Sequence, residues 1–197
     1  MSAHPSELID EVVRTHLKPA LKELGFKSKG VTFYRANGEL TEIVSPQKSQ
    51  WNGAAEAKFT INLGVYWPKV QEPLKRAAST LPPSESQCTL RQRLGILFGE
   101  KRDHWWQMRP ESDVGAIGKD VVEKVRAYGL PWLARASSLE EAPNMANAAE
   151  AAILWTLRGE RKKASEVISL AIAKSAHAKL FFRSLAERLD LKLPPEA

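Results

Sequence analysis

The sequence predicts an α+β fold: a meander of four or five antiparallel strands with an N-terminal helix and a second helix packed on one face, followed by a C-terminal helical hairpin. Between residues 58 and 67 apolar and polar residues alternate strictly, which is the period of a half-buried strand. Asn37-Gly38 predicts a tight hairpin turn, because both residues tolerate positive φ. Apolar residues recur at helical spacing from Ile9 to Leu24 and again from Asp113 onward.

The first helix is expected to begin near Pro5-Ser6, with the Ser6 hydroxyl as its cap. Pro19 lies inside the apolar stripe of this helix. Because proline lacks an N–H and clashes with the preceding turn, we expect a kink there, or a new helix with Pro19 in its first turn. Gly25 then ends the helix in a left-handed conformation, and Phe26 packs back on it.

Four further strands are predicted from alternation and turn signals, and they flank the alternating strand, which ends before Pro68. They are residues 31–35, 40–48, 88–98 and 104–108. The apolar side of the segment 88–98 is predicted to hold Cys88, Leu90, Leu94, Ile96 and Phe98. Its opposite side is predicted to hold Arg91 and Arg93, since residues two apart on a strand share a face.

Beyond the strands the apolar period becomes helical. A helix is predicted to begin at Asp113 as its cap and to end at Gly129, followed by a sharp apolar corner over 130–133. Residues 136–143 are predicted to be a linker, and three helices are expected after it. We therefore divide the chain into an α+β domain over 1–135 and a helical extension over 136–197. The small-residue pattern in the extension is weakly repeat-like, but one copy cannot form a solenoid.

Composition limits the class of protein. The 197 residues are 43% hydrophobic and 26% charged, as in an ordinary globular chain able to bury a core. The single cysteine, Cys88, allows no intramolecular disulfide, which favours the reducing cytoplasm. No apolar run approaches the length of a membrane span, and no signal peptide is recognisable. The net charge of +6 permits an acidic partner, but it is too scattered to demand a nucleic acid.

No motif for a metal, a cofactor or a nucleophile is recognisable. The four histidines lack metal-ligand spacing, and neither a phosphate loop nor a dinucleotide-binding glycine motif occurs. Cys88 has no recognisable base beside it, and its place among apolar residues favours a small buried thiol. We therefore predict no cofactor, no metal site and no catalytic residue.

The polar face of the sheet is the candidate binding surface. Arg91 and Arg93 share a face, Asn62 belongs to the polar side of the alternating strand, and Arg35 and either Gln47 or Lys48 would join them if the strand registers agree. Tryptophans would rim this face. Guanidinium groups bind carboxylates and phosphates bidentately, so the surface suits a small anionic ligand or an acidic protein. The candidate residues are Arg35, Lys48, Trp51, Asn62, Arg91, Arg93, Trp105 and Trp106. The alternative is a sheet face that is polar only because it meets water.

An ordered set of short matches connects the chain to a known family. The matching residues are Leu17-Lys18-Pro19, Gly25-Phe26, Phe33-Tyr34-Arg35, Gln47-Lys48-Ser49, Phe59 to Tyr66, Cys88 with Arg91, Arg93 and Gly95, Trp105-Trp106, and Tyr128 to Leu133. Together they resemble a bacterial family known as domain of unknown function 4304, over about residues 7–135. The resemblance implies the α+β fold and its limits. Because the family name carries no activity, it supplies no catalytic residues.

Three hypotheses of function remain open. The first is a non-catalytic cytoplasmic domain that binds a protein or a ligand through the basic and aromatic sheet face. The second is an enzyme of unrecognised type, with a pocket between the sheet and the helix over 113–128, which would need an acid or base with a displaced pKa. The third is a weak nucleic-acid binder, suggested by the positive charge and the aromatic residues. The sequence gives neither the partner nor the oligomeric state.

Overall fold

The computed structural model describes residues 4–77, 79, 82–99 and 102–193, and within them six strands form one antiparallel sheet. The strands are β1 (Lys27–Lys29), β2 (Thr32–Asn37), β3 (Leu40–Lys48), β4 (Ala57–Tyr66), β5 (Leu90–Arg93) and β6 (Trp106–Met108). β1 to β5 follow one another in space as a meander. β5 and β6 pair with different parts of the same side of β4, because β3 occupies its other side. The predicted α+β class and antiparallel meander are confirmed.

The helices lie before, between and after the strands. They are α1 (Pro5–Val12), α2 (Lys18–Glu23), α3 (Pro68–Gln71), α4 (Leu94–Phe98), α5 (Val114–Lys124), α6 (Leu130–Ala136), α7 (Ala142–Met145), α8 (Ala148–Leu157), α9 (Arg161–Lys174) and α10 (Lys179–Arg188). The cap of α1 differs from the expectation. His4, not Ser6, precedes the helix, and its Nδ1 accepts the Ser6 N–H at 3.2 Å while the Glu7 carboxylate accepts the His4 N–H.

The main core lies on one side of β4. Phe59, Ile61, Leu63 and Val65 are fully buried and pack in one apolar cluster with residues of α1, α5 and α6. The period-two alternation therefore sends one row of β4 side chains into the helical layer. The other row faces the opposite side of the sheet, where Ile43, Tyr66 and Cys88 form a small second cluster beneath the turn Glu85–Gln87.

Two helices contain a wide π turn, and both turns come directly before a Lys-Pro or Leu-Pro step. Val13–Leu17 joins α1 to α2, where the Lys18 N–H bonds the Val13 carbonyl, and Pro19 lies in the first turn of α2, as predicted. Val125–Gly129 joins α5 to α6 in the same way. A wider turn relieves the clash of the proline ring with the carbonyl four residues earlier. The predictions that Gly129 ends its helix and that 130–133 forms a corner are therefore wrong.

The predicted strand 88–98 is the largest error in the fold. Only Leu90–Arg93 is a strand, and Leu94–Phe98 turns into α4. Leu90 packs in the main core while Cys88 lies in the second cluster, so the two do not share a face. The cause is a bulge: Leu90 is the ladder partner of Val65, yet the Thr89 N–H also donates to the Val65 carbonyl at 3.0 Å. An extra residue in one strand breaks the alternation of side chains.

The C-terminal helices contact the sheet-bearing part of the chain. The Trp67 indole Nε1 donates to the Ala136 carbonyl at 3.0 Å, and the Arg188 guanidinium donates to the Pro73 carbonyl at 2.7 Å. Residues of α8, α9 and α10 belong to the same apolar cluster as β4. The boundary near residue 135 stays a prediction, since the core is continuous across it.

Candidate functional site

The register of β4 and β5 decides which side of the sheet carries the two arginines. Arg91 lies opposite Gly64 and Arg93 lies opposite Asn62. Both arginine side chains therefore leave the sheet on the side of Asn62, away from the main core. Thr60 and Gln47 are also opposite each other and on this side.

An open groove of about 950 Å³ runs past these side chains. The sheet contributes Gln47, Asn62 and Tyr66 to its floor, and the Asn62 amide donates to the Gln47 side-chain oxygen at 2.8 Å. All four residues of β5 line it. The opposite wall comes from Arg76 and from the residues between α7 and α8, with the start of α8. We call this space the β5 groove.

A carboxylate holds each of the two arginines on one side. The Arg91 Nε donates to the Glu85 carboxylate at 2.6 Å, and the Arg93 Nη1 donates to the Asp103 carboxylate at 2.5 Å. Asp103 also accepts the Trp105 indole N–H at 3.0 Å, and the Arg93 guanidinium lies 5.3 Å from the centre of the Trp105 ring. Within the described part of the chain these are the only ion pairs of Arg91 and Arg93. Since a guanidinium has several N–H donors in a planar fork, donors remain for an incoming anion.

The far end of the groove holds a second kind of ion pair. The Glu150 side chain is only 6% exposed and accepts from Arg76 at 2.8 Å. Glu150 belongs to the first turn of α8, whose cap Asn147 accepts the Ala149 and Glu150 N–H groups. The lining of the groove thus combines three guanidinium groups with the carboxylates of Glu85 and Glu150.

Cys88 lies at the floor of the groove but is not an activated thiol. Burial, and secondarily the charge of Glu85, raise the pKa of the Cys88 thiol from 9.0 to about 12. Gly64 lies against it so closely that a Cβ there would be 2.6 Å from the sulfur. Because the thiolate is the nucleophile, a thiol with this pKa stays protonated and inert near neutral pH.

We therefore expect Cys88 of the folded protein to react with a maleimide near pH 8 at least about a hundredfold more slowly than in denaturant. The folded protein also keeps a proton that the unfolded chain releases near pH 9.0, so stability should fall as the pH rises from there toward about 12. Stopped-flow labelling and denaturation at stepped pH measure both effects. Equal labelling rates in the folded and the unfolded protein would contradict the buried thiol.

Three of the predicted site residues lie on the helical side of the sheet, and the register is the reason. In the strand register Arg35 lies opposite Glu42, and Glu42 lies opposite the core residue Val65. The Arg35 guanidinium also forms an ion pair with the Glu42 carboxylate at 2.6 Å. Lys48 lies opposite Phe59 and bonds Asp10 at 2.7 Å. Trp106 is buried against Phe59, and its indole N–H donates to Asp120 at 2.8 Å. The expectation that these side chains join the arginine face is corrected.

The two remaining tryptophans of the predicted site, Trp105 and Trp51, lie in different surroundings. Trp105 contacts the Arg93 guanidinium but does not itself line the groove. Trp51 is 85% exposed in the loop between β3 and β4, and it does not line the groove. The Asn52 side chain anchors this loop by accepting the Lys58 N–H at 2.8 Å and donating to the Lys58 carbonyl.

The sequence did not indicate the partners of the arginines. Glu85 lies in a segment predicted to be a loop, and Asp103 precedes a predicted strand. Arg76 and Glu150 are far apart in the chain. Charge spacing offers no signal for pairs that meet only through the folding of connecting segments, so only the face of Arg91 and Arg93 could be predicted.

Among residues 4–77, 79, 82–99 and 102–193, no group of three or more His, Cys, Asp or Glu side chains is placed to hold a metal ion. None of the described helices combines the length and the apolar character needed to cross a bilayer.

Comparison with family models identifies the domain. The model described as domain of unknown function (DUF4304) matches residues 17–135, which is more than half of the chain. The chain therefore belongs to this family. Comparisons with curated proteins and with solved structures give no match. The match begins ten residues after the start expected from the sequence and ends at the same residue.

Proposed function

We propose that this member of the DUF4304 family is a non-catalytic binding domain that takes up an acidic ligand in the β5 groove. The observation that supports it most is the placement of Arg91 and Arg93 side by side on one strand, facing a groove of about 950 Å³. A carboxylate positions each guanidinium from one side. Held in this way, they can bind a second carboxylate or a phosphate with little loss of side-chain entropy.

Binding is favoured over catalysis by the chemistry of the groove. Its one thiol is held protonated, as described above. The carboxylates of Glu85 and Glu150 are committed to ion pairs at 2.6 and 2.8 Å. The hypothesis of an enzyme pocket between the sheet and the helix over 113–128 loses its basis, because Leu63, Val121 and Val125 fill that space as part of the core.

An acidic protein or small anion also suits the groove better than a nucleic acid. Glu85 and Glu150 partly compensate its three arginines. Proteins that follow a nucleic-acid backbone instead present uncompensated positive charge along a surface. The single cysteine, buried and unpaired, agrees with a protein that works in the bacterial cytoplasm, which is part of the proposal.

Replacement of both arginines tests the proposal. Hexaglutamate serves as the probe in isothermal titration calorimetry at low salt. The double variant Arg91→Gln, Arg93→Gln should bind it at least about a hundredfold more weakly than the wild type, since each charge-assisted contact contributes roughly 1.5–3 kcal/mol. Folding should change little, because both side chains are partly exposed in ion pairs at the surface.

The matched control is Arg126→Gln. Arg126 is 52% exposed and pairs with Glu23 at 3.3 Å, outside the groove. It should leave the affinity for hexaglutamate unchanged within about twofold. Equal affinities of the double variant and of the control would reject the groove as the binding site. Tighter binding of an oligonucleotide than of hexaglutamate would favour the nucleic-acid hypothesis instead.

A further inference from the structure

We propose that the ligand of the β5 groove is an extended acidic segment of another protein, which adds to β5 as a further strand of the sheet. This inference rests on the proposed function and names the partner. It predicts a segment with acidic side chains at alternate positions and an apolar side chain between them. Such strand addition combines backbone hydrogen bonds for affinity with alternate side chains for specificity.

The position of the groove is the first argument. β5 pairs with β4 on one side, and among the described residues no strand pairs with its other side. Arg91 and Arg93 point to one face of the sheet, while Leu90 and Gln92 point to the other, yet all four line the groove. A space that contacts both rows of side chains follows the edge of the strand. The groove therefore reaches the free edge of β5 at Arg91 to Arg93.

The second argument is that the Gln92 side chain bonds a backbone group of β5 that a neighbouring strand would otherwise bond. The Arg93 backbone N–H donates to the side-chain oxygen of its neighbour Gln92 at 3.0 Å. An edge strand presents N–H and C=O groups that would otherwise be used in a ladder. Gln92 satisfies one of these groups only locally. A carbonyl of an incoming strand can take its place at small cost, because the glutamine amide then bonds water or the ligand.

Charge and spacing are the third argument. On an added strand, residues two apart point to the same face, as Arg91 and Arg93 do on β5. Two carboxylates at alternate positions can therefore face both guanidinium groups at once. Opposite charges that face each other on neighbouring strands attract, so both pairs would favour this register. The residue between the two acids points to the other face, toward the side of Leu90, and Met145 and Ala146 give the groove wall an apolar part.

The other edge of the sheet supplies a control surface. β1 is the outermost strand on the opposite side, and Lys27 and Lys29 on it are both exposed. It offers an acidic strand two cations at the same spacing as β5 does. The variant Lys27→Gln, Lys29→Gln therefore reports whether any binding arises from edge charge alone.

The probe is the blocked peptide Val-Glu-Val-Glu-Val, compared with two analogues that carry N-methyl groups either on both glutamates or on all three valines. In a strand, the N–H groups of alternate residues point to opposite edges, so only one set can face β5. Titration calorimetry should therefore find that one analogue binds within about threefold of the parent, while the other loses at least about tenfold. Citrate serves as the small-anion probe.

The outcomes separate the two proposals. Strand addition is supported when one methylated analogue alone loses affinity, when Arg91→Gln, Arg93→Gln weakens binding of the parent peptide, and when Lys27→Gln, Lys29→Gln does not. Retained affinity in both methylated analogues overturns strand addition, and the proposed function stands as long as the arginine variant still weakens binding. Binding of citrate without binding of the peptide likewise overturns strand addition and leaves the proposed function in place. If Arg91→Gln, Arg93→Gln changes neither the affinity for the peptide nor the affinity for citrate, both proposals fail.

Discussion

Glu42→Ala is expected to lower the free energy of unfolding by about 2–3 kcal/mol, because it removes the buried charged acceptor of several hydrogen bonds. The Glu42 side chain is only 1% exposed, although it carries a charge. It accepts hydrogen bonds from Arg35 at 2.8 Å, from Asn37 at 3.1 Å and from Ser137 at 3.0 Å. These bonds connect β2 and β3 to the end of α6. The substitution leaves several donors without their acceptor.

Urea denaturation measures the loss in free energy of unfolding of Glu42→Ala, and two further variants are compared with it. Glu23→Ala removes an exposed carboxylate that pairs with Arg126 at 3.3 Å, and it should cost no more than about 1 kcal/mol. Glu42→Gln keeps the shape and some of the hydrogen bonds, so its cost should lie between the two. Because Glu42 faces the helical side, the affinity of folded Glu42→Ala for hexaglutamate should not change. A cost for Glu42→Ala no larger than that for Glu23→Ala would contradict the role of this buried carboxylate.

The strands at the centre of the sheet were predictable because local and global signals agree there. The predicted strand 40–48 has the observed bounds of β3, and the alternation in β4 correctly separates core residues from the second face. A buried face, a tight turn at Asn37-Gly38 and a period of two all specify the same register. The shared face of Arg91 and Arg93 follows from the same period.

The segment after β5 was unpredictable for a related reason. Leu94, Ile96 and Phe98 are two apart and read as a strand, but a run of five residues is too short to separate a strand from one helical turn. Tertiary contacts decide the outcome. Leu94 is fully buried, whereas Ile96 is 47% exposed in α4. The short strand β1 was missed as well, since its three residues are all exposed and show no alternation of burial.

The arginine partners show the limit of sequence reasoning about the site. Which face Arg93 occupies depends on local geometry, while its bond to Asp103 depends on where the chain returns to the sheet before β6. Arg35 illustrates the same limit, because its face relative to Arg91 and Arg93 depends on the register of four strands, β2 to β5. A candidate binding surface can thus be located from alternation alone. The charge balance of this surface cannot be predicted from alternation, because the neutralising carboxylates lie on connecting segments.

Gly95→Ala is expected to lower the free energy of unfolding by about 3 kcal/mol, at the upper end of the range for overpacking, and also to weaken binding in the β5 groove. A Cβ at Gly95 would lie 2.4 Å from the His104 carbonyl oxygen and 2.6 Å from its backbone nitrogen. Backbone atoms cannot turn aside as a flexible side chain can, so the segment around His104 must move. Asp103 and Trp105 flank His104 and hold Arg93, so this movement disturbs the guanidinium.

The control for this variant is Gly53→Ala. No atom lies within 4 Å of a Cβ built on Gly53, so an alanine there should be neutral or slightly stabilising. Urea denaturation measures the stability of both variants, and calorimetry with hexaglutamate under folding conditions measures their affinity. Gly95→Ala should bind several-fold more weakly than Gly53→Ala. If Gly95→Ala loses stability but keeps full affinity, then Asp103 and Trp105 do not position Arg93 for the ligand.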